Sequence, residues 1–313
     1  MLFYILRRIV ATIPVMGVVA LMVFSLLYLA PGDPAVIIAG ESASQEQLAK
    51  MRQDMGLDQP MPVQFARWVG KVATGDLGTS LHSGRQVSEM IGARVGTTLS
   101  LAIVTIILSL LIAIPMGILA AWARGRFIDK AVMTVAVVGF STPVFVVGYA
   151  LIFLFSVKAG WFPVQGFTPI TEEPVRFLRT ATLPAFTLSL AYIALVSRIT
   201  RSSLLEMLGE DFIRTARAKG ASERRVLLRH ALRNAAVPIL TVAGSAAAFL
   251  IGGVVVTETV FNLPGMGRLV VESVLARDYP LIQGLILLLS LVYIGINLLT
   301  DILYSVFDPR IRY

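Results

Sequence analysis

Six stretches of this chain contain no Asp, Glu, Lys or Arg: Ile9 to Ala30, Val95 to Ala123, Ala131 to Val157, Thr180 to Ser197, Asn234 to Thr257 and Tyr279 to Thr300. A bilayer core about 30 Å thick takes roughly 20 apolar residues of helix to cross. The pattern therefore predicts an all-α integral membrane protein with six spans, the fourth so short that it crosses with little tilt. Composition agrees: 56% of residues are hydrophobic and 15% charged, with a mean hydropathy of +0.79. That leaves too little polar surface to cover a water-soluble globule of this length.

Basic residues set the expected orientation. With the N-terminus in the cytoplasm, the inside segments hold 16 basic and 7 acidic residues, and the outside segments 11 and 12. The positive-inside rule then places both termini in the cytoplasm, an outer loop at 31–94 and a cytoplasmic loop at 198–233. The basic pI reflects this topology rather than a nucleic-acid partner. Arg7 and Arg8 before the first apolar run resemble a secretory signal, but the run is long and lacks a small-residue cleavage site, so an uncleaved first helix is expected. There is no cysteine, hence no disulfide or thiol chemistry.

Catalytic patterns are lacking. The two histidines, His82 and His230, fall in aqueous segments, and no base pairs with Ser141 in the manner of a membrane protease. No GxxxxGK[ST] phosphate loop is present. No Asp, Glu, Lys or Arg sits near a span centre, against a carboxylate proton relay of the kind a self-sufficient secondary transporter uses. The chain is read as a non-enzyme with no cofactor or metal site of its own.

Prolines at 14, 115, 143 and 238 interrupt spans and free backbone carbonyls, which membranes tolerate beside protein or water. Kinks at Pro115 and Pro143, with Ser141 and Thr142 beside the latter, make Ser141, Thr142 and Pro143 candidates for a translocation path. Alternatively, the two hydroxyls satisfy the broken helix from within. In the outer loop, Ser44 is a candidate cap for a short helix that shows Leu48, Met51 and Met55 on one face and stops at Gly56. Trp161, Phe162, Pro163 and Phe167 read as interfacial anchors.

From Ser203 to Pro238 the chain turns abruptly polar and basic, between two stretches that could each cross a bilayer. Asp211 is a candidate cap for a helix running to Ala218, and Gly220 supplies a reversal. Ser222 is a candidate cap for a second helix with an apolar stripe of Leu227, Leu228, Ala231 and Leu232. Phe212, Thr215, Ala216 and Lys219 fall on one side of the first helix, which is short and basic, as suits insertion into a groove on a partner. The competing reading is a basic helix lying on anionic lipid.

Arg214-Thr215-Ala216-x-x-x-Gly220 resembles the EAA-type loop of ABC importer permeases, whose pattern is Glu-Ala-Ala, three residues, Gly, nine residues, Ile-x-Leu-Pro. Arg214 and Thr215 replace its first two residues, Ala216 and Gly220 fit, His230 stands for Ile, Leu232 fits and Arg233 replaces Pro. Further segments are similar to the dipeptide, oligopeptide and nickel branch, first permease subunit: Pro31-Gly-Asp-Pro34, Gly56-Leu-Asp-Gln-Pro60, Gly75-Asp-Leu-Gly-Thr-Ser80, Gly160-Trp-Phe-Pro163, Glu258-Thr-Val-Phe-Asn-Leu-Pro-Gly-Met-Gly267, Asp278-Tyr-Pro280 and Asp308-Pro-Arg-Ile-Arg-Tyr313.

The resemblance implies a type I importer permease of the bacterial inner membrane. Its partners would be a second permease, two cytoplasmic ATPases that hold ATP and Mg2+, and a periplasmic binding protein. The coupling residues would be Asp211, Arg214, Thr215, Ala216, Lys219 and Gly220. Peptide is the first expected solute, with glutathione and nickel chelates as alternatives. The chain's own residues offer no Cys or membrane His cluster to ligate nickel.

Overall fold

The computed structural model describes residues 2–29, 35–36, 44–54 and 56–307. The Pro31–Pro34 and Asp308–Tyr313 motifs, Met55 and the side chain of Met51 lie outside the described residues. The helices are α1 (Leu2–Leu29), α2 (Gln45–Asp54), α3 (Met61–Ala73), α4 (Val87–Trp122), α5 (Phe127–Ser141) and α6 (Val144–Leu151), which continues as π-helix through Ile152–Lys158. Then follow α7 (Pro174–Met207), α8 (Asp211–Ala218), α9 (Glu223–Arg225), π-helical Val226–Ala231, α10 (Leu232–Val260), α11 (Met266–Leu275) and α12 (Tyr279–Phe307).

Among the described residues, five helices are long and apolar enough to cross a membrane, or six if a bent pair counts as one. That pair is the expected third span. Instead of one kinked rod, α5 and α6 meet at 102° across Thr142 and Pro143. Proline has no N–H to continue the ladder and biases Thr142 toward extended backbone, seen at φ −83° and ψ 126°. The expected short fourth span also differs: α7 is 34 residues long. Its ends are helical but polar, so a search for charge-free sequence finds only its middle.

The chain divides into two compact units. One comprises residues 96–267 and the chain from 295 onward; the other comprises 2–95 and 268–294. In the first, α7 is the central stave, with 67% of its apolar window buried, and it packs against α5, α6 and α10. One apolar cluster centres on Leu204, Ile213, Val226, Ala231 and Ile239, another on Leu101, Leu188, Leu250, Phe261 and Leu263. Small residues bring the helices close. A Cβ on Gly117 of α4 would lie 2.7 Å from the Ser197 carbonyl oxygen and 2.5 Å from Thr200 Cβ on α7, so no larger residue fits there.

In the second unit, 11% of the α1 apolar window is buried. Phe24 of α1 packs against Phe65 and Trp68 of α3 at 5.3 and 5.7 Å between ring centres, and the Tyr28 hydroxyl donates to the Gln64 carboxamide. The helix expected after Ser44 is present as α2. The Gln47 N–H donates to Ser44 Oγ at 3.2 Å and the Ser44 N–H to Gln47 Oε1 at 2.8 Å, a reciprocal cap. The helix ends at Asp54, and Gly56 just beyond it has φ +69°.

Two family-like motifs meet in this unit. Asp278 is buried, and its carboxylate accepts the Ser80 hydroxyl at 2.5 Å and the Leu81 N–H at 3.1 Å. The Gly75–Ser80 and Asp278–Pro280 segments, 198 positions apart at this bond, thus form one clasp at the start of α12.

Candidate coupling site

α8 is mounted at three points. Ile213, fully buried, plugs it into the cluster with Leu204, Val226 and Ala231. At its C-terminus, the Gly220 N–H donates to the Arg217 carbonyl at 2.9 Å and the Ala221 N–H to the Ala216 carbonyl at 3.1 Å. This Schellman turn needs the left-handed conformation that Gly220 adopts, φ +80°. Across the turn, Arg217 grips Glu223 with Nε at 2.8 Å and a terminal nitrogen at 3.1 Å. The hydrogen bonds from Arg217 hold the Glu223 carboxyl below the ordinary carboxylate range, and those to Glu223 raise the guanidinium.

With Ile213 pointing inward, Asp211, Phe212, Arg214, Thr215, Lys219 and Gly220 are exposed, while Ala216 is half-buried and sits at the edge of that face. Arg214 lies 3.3 Å from Asp211, and the Thr215 hydroxyl donates to the Asp211 carbonyl at 3.0 Å. The structure thus brings all six sequence-predicted coupling residues onto one eight-residue helix and its turn.

Three local expectations change. Asp211 is the first helical residue rather than the cap; Glu210 holds the cap position, without a side-chain bond. Ser222 does occupy the cap position of α9, but its carbonyl, not its hydroxyl, engages the chain, accepting from Val226 N–H at 2.9 Å. In the second helix Val226, Leu227 and Ala231 are buried and Leu228 is 43% exposed. The π-helical turn at 226–231 widens the repeat beyond 3.6 residues, so a stripe drawn at ordinary helical spacing assigns Leu228 to the wrong side.

Sequence reading also missed a partly buried ion pair at the neighbouring helix ends. Arg201 of α7 donates to both carboxylate oxygens of Asp129, at 2.5 and 2.7 Å, and Gly125 N–H adds a third bond at 2.9 Å. Asp129 lies before the apolar run that starts at Ala131, and Arg201 lies after the run that ends at Ser197. The Arg201 hydrogen bonds hold the Asp129 carboxyl below its usual range against the opposing effect of burial. The signal in the sequence was the placement of an acid and a base each just outside an apolar run.

At the α5–α6 break, the Thr142 hydroxyl donates to the Val138 carbonyl at 2.8 Å. Ser141 instead lines a cavity of about 250 Å3 together with Met133, Phe140, Leu195 and Arg198. Pro143 turns the chain. Of the three path candidates, only Ser141 lines this cavity. Among the described residues no group of His, Cys, Asp or Glu is arranged to hold a metal ion. Phe162 and Phe167, expected as headgroup anchors, pack against the Leu183–Leu263 cluster, and Trp161 is 61% exposed.

Residues 113–313 match the family described as binding-protein-dependent transport system inner membrane component, and residues 1–102 match its N-terminal family. A probable peptide ABC transporter permease of Sinorhizobium fredii is 50% identical over 310 residues, 99% of each chain. The glutathione transport system permease protein GsiC of Salmonella paratyphi A is 47% identical over the full length of both. Among solved structures, the MetNI methionine ABC transporter in an inward-facing conformation matches with a TM-score of 0.58 at 18% identity. The match covers 70% of this chain and 96% of that one, and it speaks for the fold. Among the described residues, a nearly all-helical fold with five or six apolar spans and an outward-presented helix at the expected loop, together with matches along the whole chain, make one case: this chain belongs to the binding-protein-dependent transport system permeases, the membrane components of ABC importers.

Proposed function

We propose that the chain moves peptides inward across the bacterial inner membrane, as one of two related permeases served by two cytoplasmic ATPases and a periplasmic binding protein. The observation that carries this reading is the mounting of α8. A helix that is plugged at Ile213, clamped through Arg217 and Glu223, and exposed on its other face is built to pass a push from a docked protein into α7 and α10. A helix resting on lipid would need an apolar face outward, and Phe212 alone supplies one there. ATP and Mg2+ belong to the ATPases, so the permease itself does no chemistry, and both its termini are cytoplasmic. Nucleotide-driven closure shifts the bundle between inward and outward states, and the loaded binding protein biases the same equilibrium.

Peptide is favoured by the 50% identity to a probable peptide permease. Glutathione, itself a peptide-like solute, is the second reading because GsiC is nearly as similar. The test is uptake by proteoliposomes holding the whole assembly and its binding protein, with a labelled dipeptide and labelled glutathione offered separately. ATP-dependent dipeptide uptake is expected. Uptake of glutathione alone would select the second reading, and uptake without ATP would return the secondary-transporter reading.

A further inference from the structure

Between α6 and α7 the chain folds over a cavity of about 410 Å3 that the coupling scheme does not use. Its loop is pinned from three sides. The Ser156 hydroxyl donates to the Pro163 carbonyl at 3.2 Å, the Asn262 amide to Gln165 Oε1 at 3.1 Å, and Arg179 to the Trp161 carbonyl at 3.2 Å. Phe167 meets Phe177 edge-on at 5.8 Å, and Phe162 and Phe167 both pack against the apolar cluster behind them. The cavity is therefore preformed, and its volume falls in the range of about 300–1,000 Å3 usual for small-molecule sites.

Its charge is one-sided. Arg176 and Arg179 stand three residues apart on α7, so their guanidiniums share a face, and among the described residues no acidic one lines the cavity. Arg179 spends one donor on the Trp161 carbonyl, which fixes its direction and leaves the rest of its fork available. Arg176 lies 3.8 Å from Glu173, which is outside the cavity. Both side chains of that pair are more than half exposed, at 66% and 61%, a contact that water weakens.

We infer that this cavity receives the carboxylate end of the transported solute. The free C-terminal carboxylate of a short peptide lies between Arg176 and Arg179, and its last side chain rests on Phe162 and Phe167. A guanidinium pair matches a carboxylate in shape and charge and repels an ammonium, so the peptide enters with its C-terminus toward α7. Solvent exposure keeps the binding weak, as transit requires: a solute held tightly here would not move on. The inference rests on the peptide-import reading and on the orientation that puts residues 158–179 on the outer side.

The test uses the whole assembly in nanodiscs without binding protein and compares binding of the dipeptide Ala-Phe with that of its C-terminal amide. The wild type should bind the amide about tenfold more weakly. The double variant Arg176→Gln, Arg179→Gln should bind both probes equally weakly, and Arg179→Lys should recover part of the preference. Assembly is checked by copurification of the ATPases. Equal binding of the two probes by the wild type, no binding of either, or an undiminished preference in the double variant overturns the inference. So does a double variant that keeps Ala-Phe binding but, in a separate ATPase assay with loaded binding protein added, loses stimulation, which would make the cavity a protein contact. Failure of the peptide-import reading is seen separately, as absence of dipeptide uptake by the wild-type proteoliposomes.

Discussion

Arg201 holds Asp129 through both carboxylate oxygens, at 2.5 and 2.7 Å, tying the start of α5 to the end of α7 across 72 positions of sequence. Asp129 is 4% exposed at its side chain and Arg201 26%. Removing one partner leaves the other charge partly buried without its counterion, a larger loss than removing both. Asp129→Asn should cost about 2–4 kcal/mol, and the double variant Asp129→Asn, Arg201→Gln less than the sum of the two singles. Thermal unfolding of the detergent-solubilised permease measures the cycle; additive singles would mean the pair is not coupled. The sign with pH follows from the lowered Asp129 carboxyl. Its contribution is complete above the unfolded-state value and is lost as pH falls through the lower folded-state value.

Ile213 is the plug that fixes α8 to the core. Ile213→Ala removes buried methyl groups where the neighbours Leu204 and Val226 cannot fully close in, for about 2–4 kcal/mol. The loss falls on the mount, so membrane insertion should persist while substrate-stimulated ATPase activity drops several-fold. Unchanged stimulation would show that force does not pass through this contact.

At Gly220 the space is open, because a Cβ there would meet nothing within 4 Å, but φ is +80°. The penalty of substitution is therefore backbone strain alone. Gly220→Ala should cost about 1 kcal/mol, and Gly220→Val more, because a β-branched residue tolerates the left-handed region worst. Coupling should fall in the order glycine, alanine, valine. Ala216→Arg acts differently: Ala216 is half-buried at the edge of the exposed face, so the larger side chain intrudes on both the core and the docked surface. A flat response across all three variants would favour the lipid-surface reading of α8.

Membrane topology is open to a direct chemical check. Ser44 and Ser222 are both exposed. In intact cells, a cysteine replacing Ser44 should react with an impermeant thiol reagent and one replacing Ser222 should not. The reverse pattern would invert the orientation.

What could be read from sequence follows from which interactions are local. The α2 cap at Ser44, its stop just before Gly56 and the turn at Gly220 depend on residues within a few positions, and each appears where the residue types place it. The helix and turn that carry the proposed coupling residues were legible through motif spacing, but their mount was not. Ile213 turns inward because of what α7 and α10 put beneath it, and Leu228 turns outward because a π-helical turn shifts the register. The 102° corner was half legible: Pro143 announced a break, and nothing in the local sequence announced its angle. The Ser80–Asp278 and Asp129–Arg201 bonds join distant segments that no periodicity connects.

The corner at Pro143 yields the last prediction. Thr142 closes its own helix end by donating to the Val138 carbonyl, so its hydroxyl is structural, whereas Ser141 lines the cavity shared with Phe140, Leu195 and Arg198. If that cavity belongs to the translocation path, filling it should obstruct passage without loosening the corner. Ser141→Leu should lower the uptake rate about tenfold or more while the ATPases still copurify, because exchanging a hydroxymethyl for an isobutyl group fills roughly a third of the cavity and replaces a polar group of its wall with an apolar one. Ser141→Ala, which removes only the hydroxyl, should leave uptake within about twofold, since one solvent-accessible hydrogen bond contributes little. Thr142→Val keeps the shape and removes the bond to Val138, so its effect should appear in thermal stability rather than in uptake. Normal uptake by Ser141→Leu would take the cavity out of the path and leave Pro143 as a structural corner.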